Sequence, residues 1–122
     1  MVSAEDLFIQ MLIQGKPWVW EVEGWAEKVG VTALPGGGRG WDEVRSKHLA
    51  VAPAMAYEQA LRVATDAYLA TLTAEELDRP INLFGAQRPV AAALTMLSVH
   101  TLGHAGEIAA LKGVQGVKGL PF

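Results

Sequence analysis

The sequence contains no cysteine and few charged residues, and both features limit its chemistry. Without cysteine the chain forms no disulfide and offers neither a thiolate ligand for a metal nor a cysteine nucleophile. A cytoplasmic location fits this composition. Only 19% of the 122 residues are charged, whereas 51% are hydrophobic. We therefore expect some apolar surface to remain available for a partner.

Two classes of partner are excluded by what the sequence lacks. The chain has 10 Lys and Arg against 13 Asp and Glu, a net charge of -3, and no basic cluster. Nucleic-acid binding needs such a cluster, so we expect no nucleic-acid partner. The longest uncharged run, 90–106, is interrupted by two histidines and is shorter than the roughly 20 apolar residues of a membrane span. We therefore expect no membrane partner. The first residues carry acid where a secretory signal needs base, so we expect no secretory signal.

The apolar residues that are present recur at helical spacing, which predicts an all-α fold in one domain, residues 1–122. Ser3 is a predicted N-cap of the first helix, and Pro17 breaks that helix. Thr73 and Glu76 form a capping box that opens a short helical turn. No alternation typical of β-strands is convincing, so the simplest architecture is an antiparallel helical bundle. The predicted long helices are 4–14, 17–29, 47–72 and 90–112, with a C-terminal cap at Gly113 and with loops at 34–40 and 81–88.

The most informative residues are His100 and His104, which lie four positions apart on the last predicted helix. This spacing places two imidazoles on one face, where they can bind one metal ion. Glu107 lies on the same stripe and could be a third ligand, a second-shell partner or a general base. Thr101 stands where a zinc peptidase motif needs glutamate, so that class is excluded. The alternative is a pair of core histidines that are hydrogen-bonded to the backbone or to Glu107.

The last helix and tail, His100-xxx-His104-Ala-Gly-Glu107-Ile108 and onward to Phe122, resemble the DinB-like family (the DinB/YfiT superfamily). Residues 3–10 are similar to the start of that family's second helix. The resemblance implies a small four-helix bundle, often homodimeric. It also implies a divalent metal, zinc or nickel, held by three histidines. Some members are thiol-dependent transferases or a glutathione-dependent isomerase.

The chain departs from the family pattern at two places. Gln10 stands where we align the third histidine, and its amide oxygen is a weaker ligand than imidazole. Gln10, Glu107 or, more remotely, His48 could complete the set with His100 and His104. The chain also starts at the family's second helix, which predicts an open apolar groove that a second copy fills in a homodimer.

The tryptophans are the remaining candidates for a site. Trp18 and Trp25, with Trp20 and Trp41, could line an apolar pocket for a small-molecule ligand, or could be core and interface anchors. We expect the imidazole pair to point inward, into a cavity shared with the opening segment. The predicted function is a metal-dependent thiol transferase or isomerase. The alternative is a non-catalytic dimer that binds a small molecule or a partner and has a degraded metal site.

Overall fold

A computed structural model describes residues 2–32, 41–47 and 50–120. The described chain is mostly helical and contains one short β-hairpin, so the predicted helical fold class is confirmed. The predicted loop 34–40 and His48 lie outside the described residues, as does the side chain of Trp41. The helices are α1 (Val2–Asp6), a π-helical segment (Leu7–Ile13), α2 (Val19–Val22), α3 (Trp25–Val29), α4 (Trp41–Ser46), α5 (Val51–Leu69), α6 (Ala74–Asp78) and α7 (Val90–Val114).

The first two predicted helices are shorter or wound differently than expected. α1 continues directly into the π-helical segment, and we call the two together the N-terminal helix. The N-terminal helix ends at Ile13. Gly15, two residues later, has a positive φ of 65°, which suits glycine. The predicted helix 17–29 is divided into α2 and α3 by Gly24, which adopts a left-handed φ of 64°.

The prediction of a loop at 81–88 was wrong, because these residues belong to an antiparallel β-hairpin. Strand β1 (Pro80–Leu83) pairs with β2 (Ala86–Pro89), with Pro80 opposite Pro89 and Leu83 opposite Ala86. Phe84 and Gly85 both have positive φ, 52° and 87°, as a type I′ turn requires. In β1 only Ile81 and Leu83 are buried. Two buried positions are too few for the alternation that predicts a β-strand to be recognised in the sequence.

The predicted helix 47–72 is α5 (Val51–Leu69), which starts four residues later and ends three residues earlier. The last two predicted helical segments agree more closely. Thr73 caps α6, because its Oγ1 accepts a hydrogen bond from the Glu76 backbone N–H at 3.2 Å. α7 passes the predicted cap at Gly113 and ends at Val114. The left-handed residue is instead Gly116, at a φ of 74°.

The three long helices have a defined mutual direction. The Arg79 guanidinium donates to the Ile13 carbonyl at 2.8 Å, and the Val90 N–H donates to the Arg79 carbonyl at 3.0 Å. The end of the N-terminal helix therefore lies beside the start of α7, and the two helices are antiparallel. Contacts from Asp6 to Tyr57 and from Glu76 to Tyr68 place α5 alongside the N-terminal helix in the same direction.

The interior consists of two hydrophobic clusters. One joins the N-terminal helix to the hairpin and the start of α7, around Ile9, Ile81 and Val90. The other joins α2, α3 and α5, around Trp25 and Leu61.

A buried carboxylate links the N-terminal helix to the second of these clusters. Asp6 is 0% exposed. Its Oδ1 accepts from the Val19 N–H at 3.0 Å, and its Oδ2 accepts from the Trp20 N–H at 3.0 Å and the Tyr57 hydroxyl at 2.7 Å. Asp6 therefore satisfies two free N–H groups at the start of α2. Burial, together with the hydrogen bond to Asp6, raises the pKa of Tyr57.

Candidate functional site

His100 and His104 continue the core-facing stripe of α7 beyond the end of the core. Ala93 and Leu97 precede them at helical spacing on the same face, and both belong to the first cluster. His100 is seven residues past Ala93, which is about 10 Å along the helix axis. The two histidines therefore lie on the core-facing side of α7, but beyond the residues of that side that pack in the first cluster.

The two imidazoles and Glu107 form one connected group. The Nε2 atoms of His100 and His104 lie 3.2 Å apart, and their rings meet edge to face with centroids 4.4 Å apart. The Nδ1 atom of His104 lies 2.7 Å from Oε2 of Glu107. A carboxylate can only accept a hydrogen bond, so Nδ1 carries the proton and Nε2 of neutral His104 has a free lone pair. That lone pair can accept a hydrogen bond from Nε2 of His100 or bind a cation.

The spacing of the Nε2 atoms fits two ligands of one metal ion. Two nitrogens that are each about 2.0–2.1 Å from a tetrahedral zinc ion lie about 3.3 Å apart. Glu107 contacts Nδ1 of His104, on the opposite side of the ring from Nε2. It would therefore orient His104 as a ligand, and it does not face the position between the two Nε2 atoms where a metal ion would bind. Within the described ranges, no three His, Asp or Glu side chains are arranged to bind one ion.

The expectation that the imidazoles point inward, into a cavity shared with the opening segment, was wrong for His100. His100 is exposed, and the side chain of His104 is 37% exposed. The pair is therefore open to solvent and is not enclosed by the core.

The structure does not bring Gln10 into contact with the imidazole pair. Gln10 is 4% exposed, and its Oε1 accepts a hydrogen bond from Nε2 of Gln14 at 3.2 Å. Its own Nε2 is buried without a hydrogen-bond partner among the described residues. Because the N-terminal helix and α7 are antiparallel, Gln10 lies toward the start of α7 and Val2 lies toward the histidines.

Trp18 and Trp25, the two candidates for ligand binding, contact other residues of the fold rather than the imidazole pair. Trp25 is buried in the second cluster, where Tyr57 packs against it and the Lys28 ammonium lies 4.1 Å from its ring centroid. Its indole N–H donates to Glu23 at 3.1 Å. The indole N–H of half-buried Trp18 donates to the sulfur of Met11 at 3.0 Å. These contacts are typical of structural anchors.

A cleft lies instead between α5 and α7, with the N-terminal helix as its floor. Its volume is about 690 Å³. The floor contributes Glu5 and Ile9, and α5 contributes Arg62 and Thr65. Thr101 of α7 lines the far end, on the helical turn between the two histidines. These cleft residues were not predicted from the sequence. The available signal was the polar series Glu58, Arg62 and Thr65, which recurs at helical spacing on one face of α5.

None of the helices in the described ranges combines the length and the hydrophobicity that a membrane span requires.

Comparison with known proteins identifies a family. A family model of the DinB superfamily matches residues 2–108, from the start of α1 through the turn of α7 that carries His104 and Glu107. No curated protein and no solved structure gives a significant match. The resemblance inferred from the histidine motif is therefore confirmed across most of the sequence, and the chain belongs to the DinB superfamily.

Proposed function

We propose that this DinB-superfamily protein binds a divalent metal ion, zinc or nickel, through His100 and His104. The observation that carries the proposal is the 3.2 Å separation of the two Nε2 atoms, combined with the 2.7 Å contact that fixes the His104 tautomer. Together they provide two lone-pair donors at the spacing of two ligands on one ion.

The proposed activity is a thiol-dependent transferase or isomerase reaction on a small molecule, as the family resemblance implies. A bound divalent ion lowers the pKa of a thiol or water that binds to it, which makes a nucleophile available near neutral pH. The chain's own contribution is to orient His104 through Glu107. It also leaves the site accessible, because His100 is exposed.

The test of metal binding uses protein purified without a histidine tag and stripped of metal. Calorimetric titration with zinc or nickel should give one ion per chain, and His100→Ala and His104→Ala should each abolish this binding. Gln10→Met keeps the size of a buried side chain, and we expect it to leave the affinity unchanged because Oε1 of Gln10 is bonded to Gln14. A loss of affinity in this variant would instead make Gln10 a ligand. Binding that survives both histidine substitutions would refute the proposal.

The test of activity follows the consumption of a low-molecular-weight thiol in the presence of a small electrophile. Metal-loaded wild-type protein should consume thiol faster than metal-free protein and faster than His104→Ala. Equal rates in all three samples would reject the transferase activity and leave metal binding to be judged by the titration.

A second candidate function is that of a non-catalytic homodimer that binds a small molecule or a partner. The C-terminal part of α7 favours dimerisation, because five of its large apolar side chains are each more than half exposed. A helix that is apolar on most sides is normally covered. These side chains are Val99, Leu102, Ile108, Leu111 and Val114.

Light scattering at micromolar concentration tests this second candidate. We expect twice the monomer mass of 13.0 kDa. Leu111→Glu should return the protein to monomer, whereas Val22→Glu, at an exposed apolar residue of α2, should not. A wild-type monomer would reject the dimer without affecting metal binding. A metal-free dimer that remains metal-free on titration would favour this candidate over the first.

A further inference from the structure

The cleft between α5 and α7 has the size and composition of a small-molecule site. Its volume of about 690 Å³ falls within the range of roughly 300–1,000 Å³ found for such sites. The apolar wall includes Ile9, Leu94 and Leu97. A few polar groups are set into this wall, and they define what the cleft can recognise.

Two of these polar groups have a buried oxygen without a hydrogen-bond partner among the described residues. Thr65 is 4% exposed, and its Oγ1 is buried and unpaired. Glu5 has one oxygen 3.5 Å from the Arg62 guanidinium, whereas its other oxygen, Oε1, is buried and unpaired. Unpaired buried oxygens are unfavourable, so a ligand that bonds to them gains affinity by relieving that cost.

The remaining polar groups show which kind of ligand would fit. The hydroxyls of Ser98 and Thr101 donate to carbonyls of their own helix at 3.0 Å, so toward the cleft they can act only as acceptors. The carboxylate of Glu5 is also only an acceptor. The ionisable lining residues are Glu5, Glu58 and Arg62, which gives an excess of negative charge. Arg62 supplies donors, but its guanidinium already lies 3.5 Å from Oε2 of Glu5. The acceptors that remain unpaired therefore favour a ligand with hydrogen-bond donors and positive charge.

We propose that the cleft binds a small organic cation, with a primary ammonium group at Glu5 and Thr65 and an apolar body against Ile9, Leu94 and Leu97. The ammonium supplies the donors that Oε1 of Glu5 and the Thr65 hydroxyl lack. Neither His100 nor His104 lines the cleft, and the proposal does not depend on metal binding.

The test compares three probes of similar shape: 2-phenylethylammonium, 2-phenylethanol and phenylacetate. Each is titrated into the full chain while backbone amide shifts are followed by NMR. The ammonium should bind more tightly than the alcohol by on the order of tenfold, and phenylacetate should bind more weakly than both. The shifted amides should belong to the N-terminal helix, α5 and α7. Equal affinities, preference for phenylacetate, or no shifts at millimolar concentration would overturn the proposal.

Matched variants assign the effect to individual atoms. Glu5→Gln should reduce the affinity for the ammonium to about that for the alcohol while leaving the alcohol unchanged. Thr65→Val preserves the shape of the side chain but removes the hydroxyl, and it should weaken the ammonium complex. Glu21→Gln, on α2 and outside the cleft, should change neither. His100→Ala should bind the ammonium as the wild type does, which separates this proposal from the metal site. If dilution of the ligand-free protein shifts the cleft amides, a second copy covers the cleft and the proposal fails.

Discussion

The Tyr57 hydroxyl donates a 2.7 Å hydrogen bond to Oδ2 of Asp6, a residue 51 positions earlier in the chain. The same carboxylate accepts from the two backbone N–H groups at the start of α2. One buried side chain therefore joins three helices. Because a buried charge is tolerated only when it is fully hydrogen-bonded, this contact should dominate the stability of this end of the molecule.

Asp6→Asn is expected to lower the free energy of unfolding by about 2–4 kcal/mol, because it puts an amide N–H₂ among groups that are all donors. Tyr57→Phe should cost less, about 1–2 kcal/mol, since Asp6 keeps its two backbone donors. Urea unfolding of both variants and of the double variant measures these values. The two effects should couple by more than about 0.5 kcal/mol. Additive losses would show that the hydrogen bond contributes little.

Glu107→Gln should lower the affinity for zinc by about 10- to 100-fold without removing a ligand. The carboxylate holds the proton of His104 on Nδ1, and a glutamine side chain can instead present its N–H₂ group to that nitrogen. Calorimetric titration checks this effect. Glu27→Gln, in the first turn of α3, is the control and should not change the affinity. An equal loss in both variants would indicate a general charge effect rather than orientation of His104.

The network of Glu76, Arg79 and Tyr68 should make stability depend on acid pH. The Arg79 guanidinium and the Tyr68 hydroxyl hold the pKa of Glu76 at about 2, below its ordinary value of 4.5. The unfolded chain therefore takes up a proton before the folded protein does. The contribution of this network is complete above about pH 5 and is lost as pH falls from about 4.5 toward 2. Urea midpoints from pH 6 to pH 2 should show Glu76→Gln less stable at pH 6 and converging with wild type near pH 2. A constant difference would contradict the assignment.

Thr73→Ala should destabilise the protein by about 1 kcal/mol, because it removes the N-cap of α6 and leaves the Glu76 N–H without its acceptor. Thr95→Ala is the matched control. The Thr95 hydroxyl donates to the Ala91 carbonyl within exposed α7, so its loss should change stability by less than about 0.5 kcal/mol. Thermal unfolding of the two variants distinguishes the cap from a general effect of losing threonine.

Gly85→Ala and Gly103→Ala should have opposite effects on stability. Gly85 has a φ of 87° in the hairpin turn, where alanine is strained, so we expect a loss of about 1 kcal/mol or more. Gly103 lies within α7, and a methyl group there meets nothing within 4 Å, so alanine should gain about 0.5–1 kcal/mol. Urea unfolding measures both. A loss at Gly103 would mean that this face of α7 is covered, for instance by a second copy.

Local patterns in the sequence were sufficient for much of the fold. α7 was predicted within two residues because its long apolar periodicity and the proline before it are local signals. The Thr73 cap was predicted for the same reason. The hairpin was missed because each strand has four residues and β2 is exposed throughout. The π-helical winding of Leu7–Ile13 was missed because apolar spacing alone does not distinguish it from an α-helix.

The sequence by itself determined that His100, His104 and Glu107 share one helix face, because helical geometry fixes residues three and four apart as neighbours. Only the tertiary structure decided that the pair lies past the end of the core and that Gln10 is buried. It also decided that Asp6 anchors α2 and that Glu5, Arg62 and Thr65 meet in one cleft. These contacts join segments that are distant in the chain, and no local periodicity encodes how the N-terminal helix, α5 and α7 pack together.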